Sequence, residues 1–206
     1  MAEPTFGRKK DDPAEVFIQK ASLVSACVHG VKDRAAALDK TLALLAEKPP
    51  LDPQVPSQKK TDPSARILAA PNLDHDRFRQ LSEKCGQYPH IQLIRDNLRD
   101  FSGGIDMGVT TADYGIADTG TLVIDSNEEE TRLATMLCEV HVAILGVSDI
   151  RETALSMTGE LEALTREKGS YTAFVTGASR TADIERVLAI GVHGPLELHI
   201  ILVEDK

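Results

Sequence analysis

The sequence predicts an α/β fold, a three-layer α/β/α sandwich around a mainly parallel sheet. Three observations predict it. Strand-like and helix-like segments alternate along the 206 residues. Strand-like runs such as "HVAILGV" are apolar on both faces, as strands covered on both sides must be. Polar, glycine-containing stretches follow strand-like runs, where open α/β sheets place their ligands.

The elements follow in order. "PAEVFIQKASLV" opens with Asp12 and Pro13, a cap and a good first helical residue, and its Val16, Phe17, Leu23 and Val24 suit one helix face. "SACVHGV" is a short strand. "DRAAALDKTLALLAEK" is helical by propensity, with Leu38, Leu42 and Leu45 as an apolar stripe. Residues 48–64 hold five of the ten prolines and form a loop, because proline removes backbone donors and blocks helix. "ARILAA" is a strand, "DHDRFRQLSEKCG" a helix closed by Gly86, and "HIQLIRD" a strand. "TLVIDS" is a strand and "EEETRLATMLCE" a helix with acids at its favourable end. His141 stands at the start of the buried-type strand. "DIRETALSMTGELEALTREKG" reads as one helix from Asp149 to Gly169, and "YTAFVTG" and "LELHIILVED" are the last strands. Residues 1–12 read as a flexible tail and 13–206 as a single domain carrying the proline-rich loop.

Composition narrows the function. The formal charge of -9 repels phosphate backbones, and aromatics are only 4%, so nucleic acid is not an expected partner. The basic run Arg8-Lys9-Lys10 is followed by Asp11 and Asp12 and reads as a solvated tail. No apolar run is long enough for a membrane span, and the N-terminus lacks a signal-peptide core, so a cytoplasmic location is expected. Cys27, Cys85 and Cys138 stand far apart, so no cofactor, iron–sulfur or metal site is expected in this chain. "DHD" around His75 puts adjacent residues on different helix faces and reads as a surface cluster. Neither GxGxxG nor GxxxxGK[ST] occurs.

Two stretches concentrate polar chemistry. Thr-Ala-Asp occurs at Thr111–Asp113 and again at Thr181–Asp183, each in a small-residue loop. Such a triplet can cap a helix, or present free N–H groups of a helix N-terminus to an anion, and the two readings are compatible. Thr119-Gly120-Thr121 precedes a strand and suits either a tight turn or a close ligand. After "YTAFVTG" come Gly177, Ser179 and Arg180, where an arginine can clamp a carboxylate or form an ion pair with Asp183 or Glu185. His193 lies between Gly191 and Gly194, in a turn that exposes the ring or ties it to backbone. Ser179, His193 and Asp183 lack the GxSxG elbow of a hydrolase triad.

"GVTTADYGIADTGTLVIDS" followed by "GASRTADIERVLAIGVHGP" resembles the lactate utilisation protein C family, the LUD domain, from about Asp106 to Val203. The resemblance implies a NagB/RpiA/CoA-transferase-like fold. It also implies a place in a cytoplasmic, bacterial system that oxidises L-lactate to pyruvate, whose other two components carry the iron–sulfur clusters. The family's signature positions fall on Gly108, Thr110, Ala112, Asp113, Ala117, Thr119, Gly120 and Thr121. A second set falls on Gly177, Ser179, Thr181 to Glu185, Gly191 and His193 to Pro195. Ala178 stands in place of a usual proline, Asp118 in place of a glutamate, and Cys138-Glu139 in place of a proline-containing pair.

Two functions are therefore carried forward. One is a cluster-free component of the lactate system. It would bind a small anion or partner segment through Thr110, Asp113, Thr119, Gly120, Thr121, Gly177, Ser179, Arg180, Thr181 and Gly194. The other is an enzyme in its own right acting on a carboxylate, acyl or phosphosugar substrate, with Arg180 as anion clamp and Asp183, Glu185 or His193 moving a proton.

Overall fold

The computed structural model describes residues 11–50, 62, 64–101, 104–166, 169–182, 188–190 and 194–204. Its centre is a six-stranded, wholly parallel sheet. The strands are β1 (Ala26–Val31), β2 (Arg66–Ala69), β3 (Ile91–Ile94), β4 (Ile105–Thr111), β7 (Cys138–Gly146) and β12 (Glu197–Val203). Their order across the sheet is β1-β12-β7-β4-β2-β3. Alternate residues of the central strands enter different cores. Val140, Val142, Ile144 and Ile201 pack beneath α2 (Arg34–Glu47) and α3 (His75–Cys85). Ala143, Leu145, Ile200 and Leu202 pack beneath α1 (Pro13–Leu23). Apolar on both faces, these strands are the sandwich centre that their composition predicts.

A second, four-stranded sheet shares the α1 side. It comprises β5 (Tyr114–Ile116), β6 (Thr121–Asp125), β8 (Ile150–Arg151) and β9 (Thr172–Val175), in the order β8-β5-β6-β9. Helix α4 (Glu129–Met136) follows β6 and seats on β4, and α5 (Thr158–Leu164) follows β8. A separate ribbon pairs β10 (Arg180–Ala182) with β11 (Leu188–Ile190).

Three expectations are corrected. The helix expected from Asp149 to Gly169 is not continuous. Ile150 and Arg151 pair with Gly115 and Ile116 of β5. Thr153 and Ser156 then exchange backbone-to-hydroxyl hydrogen bonds of 3.1 Å, which compete with helical bonding until Thr158. The apolar stripe of α1 is Ala14, Phe17, Ile18 and Ala21, and Leu23 is 76% exposed, because the second sheet covers a different face from the one first read. His141 lies inside β7 and is buried, not at a strand start. Asp12 does cap α1, its carboxylate accepting from the Ala14 N–H at 3.0 Å. Most of the tail and of the proline-rich loop lie outside the described residues.

Gly120 locks the second sheet to α1. Its φ is +65°, and a Cβ there would sit 2.3 Å from the Ala21 backbone nitrogen. Replacing it with alanine is expected to destabilise the fold by about 2–4 kcal/mol in urea denaturation, since both the positive φ and the helix contact resist a side chain. Gly159, in α5, has open space where its Cβ would be, and Gly159→Ala should leave stability unchanged or raise it slightly.

Candidate functional site

The crossovers of the central sheet diverge between β2 and β4. After β2 the chain turns into α3 on one face and on to β3. After β4 it runs through the second sheet and α4, on the other face, to β7. The carboxyl ends of β2 and β4 therefore flank a topological switch point, where open α/β sheets bind ligands. A cavity of about 510 Å³ lies there, lined by Asn72, Asp74, Arg77, Thr111, Asp113, Asp125, Asn127, Glu128 and Thr131.

Side chains build the floor of this cavity. β2 and β4 are in register over only Leu68–Met107 and Ala69–Gly108. Below that, the buried Asp106 carboxylate accepts from the Ile67 N–H at 2.8 Å. Above it, the Asn72 amide donates to the Thr111 carbonyl and accepts from the Thr111 N–H, each at 2.9 Å. Asn72 thus imitates one more residue of β2 and holds the end of β4 beside α3.

The walls differ in charge. On the α3 side, the Arg77 guanidinium stands 3.4 Å from the Thr111 hydroxyl and its Nε lies 3.0 Å from an Asp74 carboxylate oxygen. That approach lies off the N–H direction, and the buried Nε–H has no hydrogen-bond acceptor among the described residues. Burial, and then the nearby Arg34, lower the Arg77 pKa, while Asp74 acts the other way. The opposite wall carries Asp113, Asp125 and Glu128. Burial pushes the Asp113 carboxyl above the usual carboxylate range, and the charges of Asp125 and Asp149 add to the shift. The Asp125 N–H, donating to it at 2.6 Å, opposes it. The N-terminus of α4 opens on the same wall with no side-chain cap at Glu128, leaving first-turn N–H groups without helical partners. A Cβ on Gly108 would lie 2.2 Å from the Ala134 carbonyl, so the bare backbone of β4 is what lets α4 approach.

The sequence-predicted residues separate into two places. Asp113 lines the carboxyl-end cavity. Thr110 is fully buried on β4, its hydroxyl sharing a 2.8 Å hydrogen bond with His141, and is not among the cavity-lining residues. Thr119, Gly120 and Thr121 sit at the opposite end, against the end of α1, and the Thr121 hydroxyl bonds those of Thr119 at 2.8 Å and Thr176 at 2.7 Å. Gly177, Ser179 and Gly194 line a groove of about 470 Å³ with Val24, Thr135 and Pro195. Those last three residues precede β1, β7 and β12, so this groove lies at the amino end of the sheet. Arg180 and Thr181 belong to β10 by their backbones. Asp183, Glu185 and His193 lie outside the described residues.

The first Thr-Ala-Asp triplet does not begin a helix, because Thr111 ends β4 and strand pairing claims its backbone. In the second, Thr181-Ala182 lies in β10, and Asp183 lies outside the described residues. The helix ends that do face the cavity are those of α3 and α4. Asn72, Asp74 and Arg77 were not expected at the site. Their signal was the polar run "PNLDHDR" directly after the strand "ARILAA", the position that the strand-end rule singles out.

The LUD domain family model matches residues 14–203. The chain belongs to the LUD domain family. It is 38% identical over 104 residues to "Lactate utilization protein C" of Halalkalibacterium halodurans, covering 49% of this chain and 45% of that protein. The protein of the same name from Shouchella clausii is 34% identical over 103 residues, with the same coverage. The chain spans about half the length of the curated relatives it matches. A crystal structure of a DUF162 family protein from Deinococcus radiodurans shares the fold, with a TM-score of 0.59 and 17% identity over 95% of this chain and 99% of that one.

This LUD domain also carries a buried imidazole beside its site strand. Burial lowers the His141 pKa from 6.5 to about 4. The unfolded chain takes a proton that the folded chain refuses. Stability is therefore complete above the free value and falls as pH drops from 6.5 toward 4, by about 3 kcal/mol in all. The acid arm of thermal melts in that window should be shallower in His141→Gln than in the wild type, and parallel arms would show that the imidazole does not carry this linkage.

Proposed function

We propose that the chain serves lactate utilisation as the cluster-free component of an iron–sulfur system that oxidises L-lactate to pyruvate. Its carboxyl-end cavity then holds a small hydroxy-carboxylate. The observation that carries the ligand reading is the polarised cavity at the switch point. The guanidinium of Arg77, which is ion-paired to Asp74 but whose Nε–H meets no hydrogen-bond acceptor among the described residues, shares the cavity with a carboxyl group at Asp113 held toward its protonated form. A 2-hydroxy acid matches both walls, its carboxylate on the guanidinium of Arg77 and its hydroxyl against Asp113. The place in the pathway is supported by family membership over residues 14–203 and by the names of the relatives. Two of the three thiols are consistent with electron transfer lying in partner subunits. Burial pushes Cys85 up to about 11 and Cys138 up to about 12, away from the thiolate that a cluster ligand requires.

A second reading, an enzyme acting on a carboxylate substrate, is favoured by the same carboxyl group. A perturbed acid in a cleft is where proton transfer is placed. Its proton-transfer group would then be Asp113 rather than the residues first considered for it.

Arg77→Gln and Asp113→Asn, each introduced into the host's own gene, should abolish growth on L-lactate while the purified variants melt within a few degrees of the wild type. Calorimetric titration of the wild-type chain with L-lactate should show binding that Arg77→Gln loses. Normal growth of both variants would overturn the assignment of the cavity. Turnover of lactate by the isolated chain would favour the enzyme reading.

A further inference from the structure

Two imidazoles join the edge of the central sheet to its neighbouring strand, away from the cavity. β1 pairs with β12 from Ala26 to Val31, and its other edge carries no strand among the described residues. Val31, Ile201 and Val203 pack into the core beneath α2, so the alternate residues His29 and His199 are turned to that face as well. There the His29 Nε2 lies 2.9 Å from the His199 Nδ1. The rings stack, with 5.2 Å between centroids and 5° between planes. The His199 Nε2 lies 3.0 Å from one Glu197 carboxylate oxygen, and the other oxygen accepts from the Lys48 ammonium at the end of α2.

This row fixes where the protons sit. An ionised carboxylate only accepts, so the His199 Nε2 carries a hydrogen and donates it to Glu197. In the uncharged pair the His199 Nδ1 is then bare and accepts from the His29 Nε2–H, leaving the His29 Nδ1 as the open nitrogen. A third proton, on that nitrogen, makes a cation of a half-buried ring. A fourth sets two N–H groups facing each other and breaks the bond, because a hydrogen bond needs a lone pair. The surroundings oppose even the third. α2 sets the Lys40 charge against His29; β12 offers it the His199 ring, behind which Glu197 is already shared with Lys48; its own strand adds Cys27 on the same face. Burial, then Lys40, then His199 push the His29 pKa from 6.5 down to about 4. A ring released into water regains its ordinary value, so opening β1 takes up a proton.

We propose that the His29–His199 pair is a proton-operated latch on the edge strand. β1, with α1 packed on its other face, stays zipped to β12 while the pair is uncharged and opens locally as the pair takes up protons. An edge strand suits such a device, because it has one neighbour to leave where a central strand has two. The proposal is independent of the lactate reading, since it uses none of the cavity residues.

Residue-resolved hydrogen exchange of the full chain, followed from about pH 7 to about pH 4.5 and corrected for the intrinsic rate, tests it. One proton taken up on opening should lower the protection of the β1 amides by about tenfold per pH unit below 6.5, with β1 exchanging ahead of β7 throughout. In His29→Gln the side-chain amide can still donate to His199 but cannot titrate, so β1 should stay protected and lose its pH dependence. His141→Gln, whose ring lies on β7, should leave the β1 slope in place. Protection of β1 that is flat with pH in the wild type would overturn the proposal. So would a wild-type slope that persists in His29→Gln, or β1 and β7 exchanging together at one common level, which would make the opening global. Ring nitrogen shifts of the wild type at about pH 7 test the proton positions without any variant. Both Nε2 atoms should carry hydrogen and both Nδ1 atoms should be bare, and a bare Nε2 on His29 would remove the donor on which the latch depends.

Discussion

The seam between β2 and β4 is the constraint on which the site depends. Backbone pairing covers only two residue pairs there, and a carboxylate and an amide complete it from below and above. Each supplies hydrogen bonds that a longer strand would have made itself. The seam must be short because the chain leaves it in opposite directions, to α3 on one face and to the second sheet and α4 on the other. Asn72 lets β2 end early enough for α3 to begin at His75 while β4 continues to Thr111. The result is a cleft whose two walls come from different faces of the sheet, and with them the separation of guanidinium from carboxylates.

That separation has a chemical consequence. Asp113, Asp125 and Glu128 stand on one wall, and burial resists charging the first of them. Arg77 does not neutralise them, because Asp74 on its own helix is the carboxylate at its Nε. A cleft with a guanidinium on one wall and a reluctant carboxylate on the other presents different chemistry to the two ends of the proposed small ligand. A bare anion would be met by repulsion from four lining carboxylates, Asp74 included, and attraction from one guanidinium, whereas the proposed hydroxy-carboxylate would also bring a hydroxyl donor to the acidic wall. The polarity of the cavity, more than its size, favours that ligand class.

Much of this architecture was legible in the sequence, for reasons that differ by element. β7 and β12 announce themselves as apolar on both faces, and α2 carries the Leu38, Leu42, Leu45 stripe that the core uses. The second sheet was only partly legible. β5 has three residues and β8 two, too few to show any periodicity, and β8 was absorbed into a helical pattern that tertiary pairing overrides. Of the residues singled out in the sequence, Asp113 lines the candidate cavity, whereas Thr110 is buried against His141, because a strand threonine gives no sign of which face it serves. The repeated Thr-Ala-Asp suggested symmetry between two loops. The first closes a strand at the carboxyl end of the sheet. The second enters a ribbon rooted at the amino end, and three residues are too few to tell these settings apart.

The glycine-bearing motifs that mark the family are therefore not all site markers. At Gly108 and Gly120 the nearest neighbour of the missing side chain is the backbone of a helix, α4 in one case and α1 in the other. These residues set how closely the helices approach, and through α4 they set where the acidic wall stands. The groove built around Gly177 and Ser179 lies at the far end of strands whose other end forms the ligand cavity. Helix α4 joins the two, since Thr131 lines the cavity and Thr135, one turn later and about 6 Å along the helix axis, lines the groove. The shortest physical route between the two sites is therefore this one helix, whose distance from β4 Gly108 sets.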